Sequence, residues 1–166
     1  MEVLKADGQF NGKKLALSVL VPVVGGSIIG ALANRNTQEK YKRLKKPSFS
    51  PPPWVFPTVW TTLYTTMGLA KYRVDEKSDS QEERRNTLAP YDIQLGLNFL
   101  WSFLFFKRGM RGTALIEMTA LLGVLTLTTY EFFGVDKLAG SLMIPYIAWV
   151  AFALGLNYSV WKLNKE

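Results

Sequence analysis

Five long stretches of this chain carry almost no charge, and they restrict its fold more than any other feature. Residues 15–33 run for nineteen positions without a charged side chain, and residues 54–70 for seventeen, with Pro57 inside. Residues 93–106 are an uncharged fourteen, extended to 91–106 if Asp92 is taken in. Residues 113–130 are eighteen long, broken only by Glu117, and residues 138–161 are twenty-four with no charge. A membrane-spanning helix needs roughly 20 predominantly apolar residues, within about 17–25. Four stretches meet that length; the third is short and holds Gln94 and Asn98, so its reading depends on its neighbours. Core helices of a soluble bundle would show a charged face opposite an apolar stripe, and no charged face exists inside these segments. The expected fold is an all-α membrane protein, a five-transmembrane-helix bundle. Residues 1–14 form an N-terminal tail, residues 15–162 the membrane domain with spans at about 15–33, 54–70, 91–106, 113–130 and 138–161, and residues 163–166 a C-terminal tail.

Residues 15–33 are long for the apolar part of a cleavable signal peptide, and Val24-Gly25-Gly26 makes only a loose cleavage site, which favours a retained first span. The charge sits in the connections. Residues 34–53 hold six Lys/Arg, residues 71–90 hold five basic and five acidic side chains, and residues 107–112 hold Lys107, Arg108 and Arg111. With five spans, the 34–53 and 107–112 connections share a side with the C-terminus and carry eleven Lys/Arg against nine opposite. That excess points to a cytoplasmic C-terminus. The net charge of +7 therefore reads as basic loops facing lipid headgroups, with membrane lipid as a partner and no nucleic acid.

Cysteine and histidine are both absent. Disulfides, thiol nucleophiles, Ser-His-Asp triads and the usual zinc and haem-iron ligands are thereby excluded, and no metal site is expected. Within the spans no acid–base pair exists for conventional hydrolysis.

The polar and aromatic residues within the spans say more. Buried polar groups in lipid are costly and face the protein interior. Asn98 lies centrally in the third span, Glu117 one turn into the fourth and Asn157 near the end of the fifth. Each reads either as an interhelical hydrogen bond or as a contact to a ligand; Glu117 can also snorkel or pair with a basic loop residue. Gly26-x-x-x-Gly30 and Ala151-x-x-x-Gly155 permit close helix approach, more readily within the bundle than at a dimer seam. Trp54, Tyr158 and Trp161 suit a membrane-interface belt. Trp60, Trp101 and Trp149 lie deep on three different spans, which suggests an aromatic cavity for a flat apolar ligand as well as plain core packing. Pro51-Pro52-Pro53 is a stiff stop before the second span, or part of a loop that lids the cavity.

The run Lys46-Pro47-Ser48-Phe49-Ser50-Pro51-Pro52-Pro53-Trp54-Val55-Phe56, continuing Val59-Trp60-Thr61-Thr62-Leu63-Tyr64-Thr65-Thr66-Met67-Gly68, resembles the signature of the translocator protein family, the tryptophan-rich sensory proteins or peripheral-type benzodiazepine receptors. Gln94-Leu95-Gly96-Leu97-Asn98-Phe99-Leu100-Trp101 is similar to that family's third span. Pro145-Tyr146-Ile147-Ala148-Trp149, with Phe152-Ala153 and Leu156-Asn157-Tyr158 through Trp161, is similar to its fifth. The resemblance implies an integral multi-pass membrane protein, often a homodimer, in the mitochondrial outer membrane of a eukaryote or the cell membrane of a bacterium. It implies binding, with transport open, of porphyrins and other tetrapyrroles, cholesterol-like sterols and benzodiazepine-type drugs, with no cofactor and protoporphyrin as a ligand. Matched by position, the ligand cavity would use Phe56, Val59, Trp60, Asn98, Trp101, Trp149, Ala153 and Leu156, and a sterol pattern would use Leu156, Tyr158 and Lys162.

Phe49 stands where the family usually has tryptophan, Thr113 where vertebrate members often have one, and Pro57-Thr58 where Gly-Pro is common. Two alternatives to simple binding stay open. One is a light-dependent porphyrin-degrading enzyme in which Trp60 and Trp149 take a radical role. The other is a membrane scaffold or signalling protein. Without histidine, a porphyrin would be held by stacking, burial and edge hydrogen bonds, because only Tyr or Met could ligate iron. A binding titration in detergent is therefore expected to favour metal-free protoporphyrin over haem, and equal affinities would overturn that expectation.

Overall fold

The computed structural model describes residues 10–34 and 38–164, and all of its regular structure is helical. Five long helices and one short one follow in order: α1 (Gly12–Asn34), α2 (Gln38–Arg43), α3 (Val55–Lys77), α4 (Gln81–Ser102), α5 (Arg111–Val135) and α6 (Lys137–Leu163). A π-helical turn, Phe103–Lys107, continues α4. Three helices are long and apolar enough to cross a membrane: Gly12–Ala33, Arg111–Val135 and Lys137–Leu163. The other two long helices, α3 and α4, each join an apolar half to a charged half.

That junction corrects the expected connection at residues 71–90. The chain stays helical through Lys77, breaks only at residues 78–80, and resumes at Gln81. The reason is charge pairing between helices. Lys14 of α1 meets Glu76 at 2.6 Å, Arg84 pairs with Asp75, and Lys71 reaches Asp92 at 3.1 Å. The break itself is capped: Ser80 Oγ accepts from the Glu83 N–H at 3.1 Å, while the Glu83 carboxylate accepts from the Asp79 N–H at 2.7 Å. Such a reciprocal pair satisfies donors that a helix start leaves orphaned.

The long helices form a ring. α1 packs on α3, α3 on α6, α6 on α5 and α5 on α4, with α4 and its π turn closing against α1. In lipid no hydrophobic force drives helices together, so close approach at small residues must serve. Gly68 provides it between α3 and α1, where an added Cβ would lie 2.5 Å from the Ser18 carbonyl oxygen and 2.7 Å from Val19 Cα. Gly26 lets the Tyr64 ring lean on α1, since a Cβ there would overlap that ring. Elsewhere the spacing leaves room: among the described residues a Cβ at Gly30 or Gly155 would meet nothing within 4 Å, and Ala151 is exposed.

Asp136 joins α5 to α6 and anchors both to α3. Its Oδ1 caps α6 by accepting from the Ala139 N–H at 2.9 Å. Its Oδ2 receives Arg73 Nη2 at 2.8 Å and Lys77 Nζ at 2.7 Å. Burial alone would push this carboxyl up. The hydrogen bonds from Arg73, Lys77 and the Ala139 N–H, with the Arg73 charge, outweigh burial and hold it well below the usual carboxylate range. Breaking a buried ion pair typically costs about 3–5 kcal/mol. Asp136→Asn keeps a cap acceptor but loses the charge, and thermal unfolding in detergent should show it less stable than wild type by about 3 kcal/mol. A depressed folded-state value stabilises above the unfolded carboxylate range, near pH ~4. The gap to Asp136→Asn should therefore hold from pH 7 to pH 5 and shrink only in stronger acid. A gap that closes already between those two values would contradict the pairing.

Candidate ligand cavity

A cavity of about 570 Å³ opens between α1, α2, α3 and the junction of α4 with its π turn. Six of its fifteen lining residues are aromatic. α3 contributes Phe56, Trp60 and Tyr64 along one face, spaced by four residues so that they stack up one side of the helix. Trp60 stacks on Tyr64 with centroids 5.5 Å apart and 28° between planes. Opposite, α4 contributes Trp101, which stacks on Phe105 at 5.1 Å and meets the edge of Phe106 at 5.6 Å. Adding one residue to the helical repeat turns the following side chains. Here Phe105 enters the core and Phe106 lines the cavity. Gly109 closes the turn at φ +67°, a conformation suited to glycine. On the α1 side Gly26, Ser27 and Gly30 keep the wall low.

Tyr41 and Lys42 of α2, with Pro53, form the mouth. Tyr41 packs on the edges of Phe105 and Phe106, and Lys46 Nζ lies 4.5 Å from the Tyr41 ring centre. Asn164 clamps this loop to the end of α6: its Oδ1 accepts from the Lys45 N–H at 3.1 Å, and its Nδ2 donates to the Lys45 carbonyl at 2.9 Å. Phe49, exposed on its outer side, packs edge-on to Phe152 at 6.2 Å.

The expected site residues divide by position. Phe56, Trp60 and Trp101 line the cavity. Trp149 lies behind them, edge-on to Trp60 at 6.5 Å and to Phe56 at 6.0 Å. Asn98 forms a buried node: Tyr64 Oη donates to its Oδ1 at 2.7 Å, and its Nδ2 donates to Tyr146 Oη at 2.9 Å. Val59 is half-buried against the core, and Ala153 and Leu156 are buried within it, none of them in the cavity wall. Tyr158 and Lys162 share the exposed face of α6, one turn apart, while Leu156 faces inward, so those three do not meet on one surface. Glu117 neither snorkels nor finds a basic partner: it is buried and both its oxygens lack a hydrogen-bond partner among the described residues. Asn157 is likewise buried with its amide unpartnered.

Tyr64, Tyr146, Phe106, Tyr41 and Lys42 were missed by sequence reasoning. Tyr64 had a signal, since it lies one turn beyond Trp60 and a central Asn98 needs partners. Phe106 depends on the π turn, Tyr41 and Lys42 on where α2 folds back, and Tyr146 on how α6 faces Asn98. No group of three or more acidic side chains able to hold a metal occurs among the described residues. A shallow groove at the start of α4 is lined by that helix alone.

Residues 18–162 match the TspO/MBR family. The chain is 38% identical over 154 residues to the translocator protein of Sus scrofa, covering 87% of this chain and 91% of that protein. It is 37% identical over 150 residues to the tryptophan-rich sensory protein of Cereibacter sphaeroides, covering 90% and 91%. It is also 34% identical to the tryptophan-rich protein TspO of Archaeoglobus fulgidus, over 93% of this chain and 99% of that one. With its long apolar helices, the chain is an integral membrane protein, and it belongs to the TspO/MBR family.

Proposed function

We propose that this protein crosses the membrane five times, through α1, α3, α4, α5 and α6, and binds flat hydrophobic ligands, tetrapyrroles first among them, in the aromatic cavity. The observation that carries this reading is the wall itself: Phe56, Trp60, Tyr64, Trp101 and Phe106 line a space of about 570 Å³. That volume falls within the range of ligand pockets, roughly 300–1,000 Å³. Ring faces and edges on both sides suit a planar π-system. Lys42 at the mouth offers a cation to a carboxylate carried at the rim of such a ligand. Names such as translocator and sensory protein among the relatives fit a ligand-handling role in a membrane. The compartment is the mitochondrial outer membrane in a eukaryotic host and the cell membrane in a bacterial one. Cholesterol-like sterols and benzodiazepine-type drugs are further candidate ligands, and a homodimer is the proposed assembly.

The edge-on contact of Trp60 with Trp149 favours a second reading, a light-dependent loss of bound porphyrin that engages these indoles. The two readings separate in one experiment. Protoporphyrin is titrated against the detergent-solubilised chain in the dark, following tryptophan quenching, and the complex is then illuminated. Binding predicts that Trp60→Ala raises Kd by roughly tenfold, about 1.4 kcal/mol of lost ring contact. Lys42→Ala should weaken the free dicarboxylate but leave its dimethyl ester unchanged. An unchanged Kd in Trp60→Ala would sink the cavity reading. Irreversible bleaching in wild type that disappears in Trp149→Phe would move the assignment to the degrading enzyme.

A further inference from the structure

The turn that brings Tyr41 and Lys42 to the cavity is tied to the bundle by a side chain that does not line the cavity. Asn164 follows α6 as its C-cap, and its backbone N–H donates to the Val160 and Trp161 carbonyls at 3.2 and 3.3 Å. Its carboxamide is fully engaged. One Nδ2 hydrogen goes to the Val160 carbonyl at 2.7 Å, which braces the side chain on its own helix. The other goes to the Lys45 carbonyl at 2.9 Å, and Oδ1 accepts from the Lys45 N–H at 3.1 Å. A carboxamide carries donor and acceptor side by side, so it pairs with the N–H and C=O of one residue as a neighbouring strand would. Aspartate there would set a carboxylate against two carbonyl oxygens, and leucine, close in shape, has no polar atom to offer.

Lys45 directly follows the turn that faces the cavity. The Leu44 N–H donates to the Tyr41 carbonyl at 3.3 Å and closes that turn. Tyr41 rests edge-on against Phe105 and Phe106, with centroids 6.4 and 5.8 Å apart. Ring contacts of this kind tolerate sliding, whereas hydrogen bonds weaken steeply when misaligned. The pairing at Lys45 therefore fixes the backbone more sharply than the rings do. Lys42, three residues before Lys45, is exposed and lines the cavity. Its flexible four-carbon stem has no fixed direction of its own, so the reach of its ammonium is set by where the backbone starts it.

We propose that Asn164 is a positioning residue for acidic ligands: by pairing with Lys45 it holds Lys42 where the ammonium meets a carboxylate at the ligand's rim. This inference rests on the cavity reading and on the Lys42 contact given above. It assigns part of the preference for free acids over esters to a residue 119 positions away from the turn it holds.

The test titrates protoporphyrin and its dimethyl ester into the full chain in one non-ionic detergent at low salt, where an exposed charge pair is least screened. The ester Kd divided by the acid Kd measures the acid preference. Lys42→Ala should lower that ratio by about fivefold, the scale of one exposed ion pair. Asn164→Leu should lower it by about threefold while the ester still binds, which reports a folded cavity; Asn164→Ala serves if the leucine variant does not bind the ester. The double variant Lys42→Ala/Asn164→Leu should show the ratio of Lys42→Ala alone, because nothing is left to position. A merely structural role would weaken acid and ester together and leave the ratio where it is. A ratio unchanged in the Asn164 variants, unchanged in Lys42→Ala, or lowered further in the double variant overturns the positioning role and leaves the cavity reading intact. Failure of both porphyrins to bind wild type overturns the cavity reading, and the positioning role with it.

Discussion

One carboxamide holds three helices of this bundle to each other. Asn98 of α4 accepts from Tyr64 of α3 and donates to Tyr146 of α6, and all three groups are buried. Inside a bilayer the hydrophobic effect does not bring helices together, so packing and interhelical hydrogen bonds of this kind set their arrangement. The Tyr64 ring then leans on Gly26 of α1, which extends the node to a fourth helix. Because Tyr64 is both a partner of Asn98 and part of the cavity wall, the same contact that orders the bundle also shapes the space within it.

At the opposite end the structure relies on charge. Asp136, Arg73 and Lys77 lock the α5–α6 joint onto α3, and further pairs tie α1 and α4 to α3. Exposed pairs contribute little individually, but the Asp136 set is buried and complete. Ion pairing closes one end of the molecule, and at the other Tyr41 and Lys42 border the cavity while Asn164 ties their loop to the end of α6.

Much of this was legible in the residues. Uncharged runs of membrane-spanning length mark the long helices because lipid penalises exposed charge. Deep tryptophans on separate segments point to an aromatic interior: Trp60 and Trp101 line the cavity and Trp149 backs it. The extent of α3 and α4 was not legible, because a balanced charge run looks like a solvated loop until its partners on neighbouring helices are known. Leu156, Tyr158 and Lys162 read as one pattern along the chain, yet a helix turns Leu156 inward and the other two outward.

By itself the sequence determined that this chain is helical and belongs in a bilayer, that thiol and imidazole chemistry are unavailable to it, and that three of its five indoles lie deep. Those properties follow from residue type and local spacing. Only the tertiary structure decided which polar groups are answered and which are not: Asn98 bonds two tyrosines, while the side chains of Glu117 and Asn157 find no hydrogen-bond partner among the described residues. The ring order of the helices and the π turn after α4 set those distances, and both arise from contacts between segments far apart in the chain.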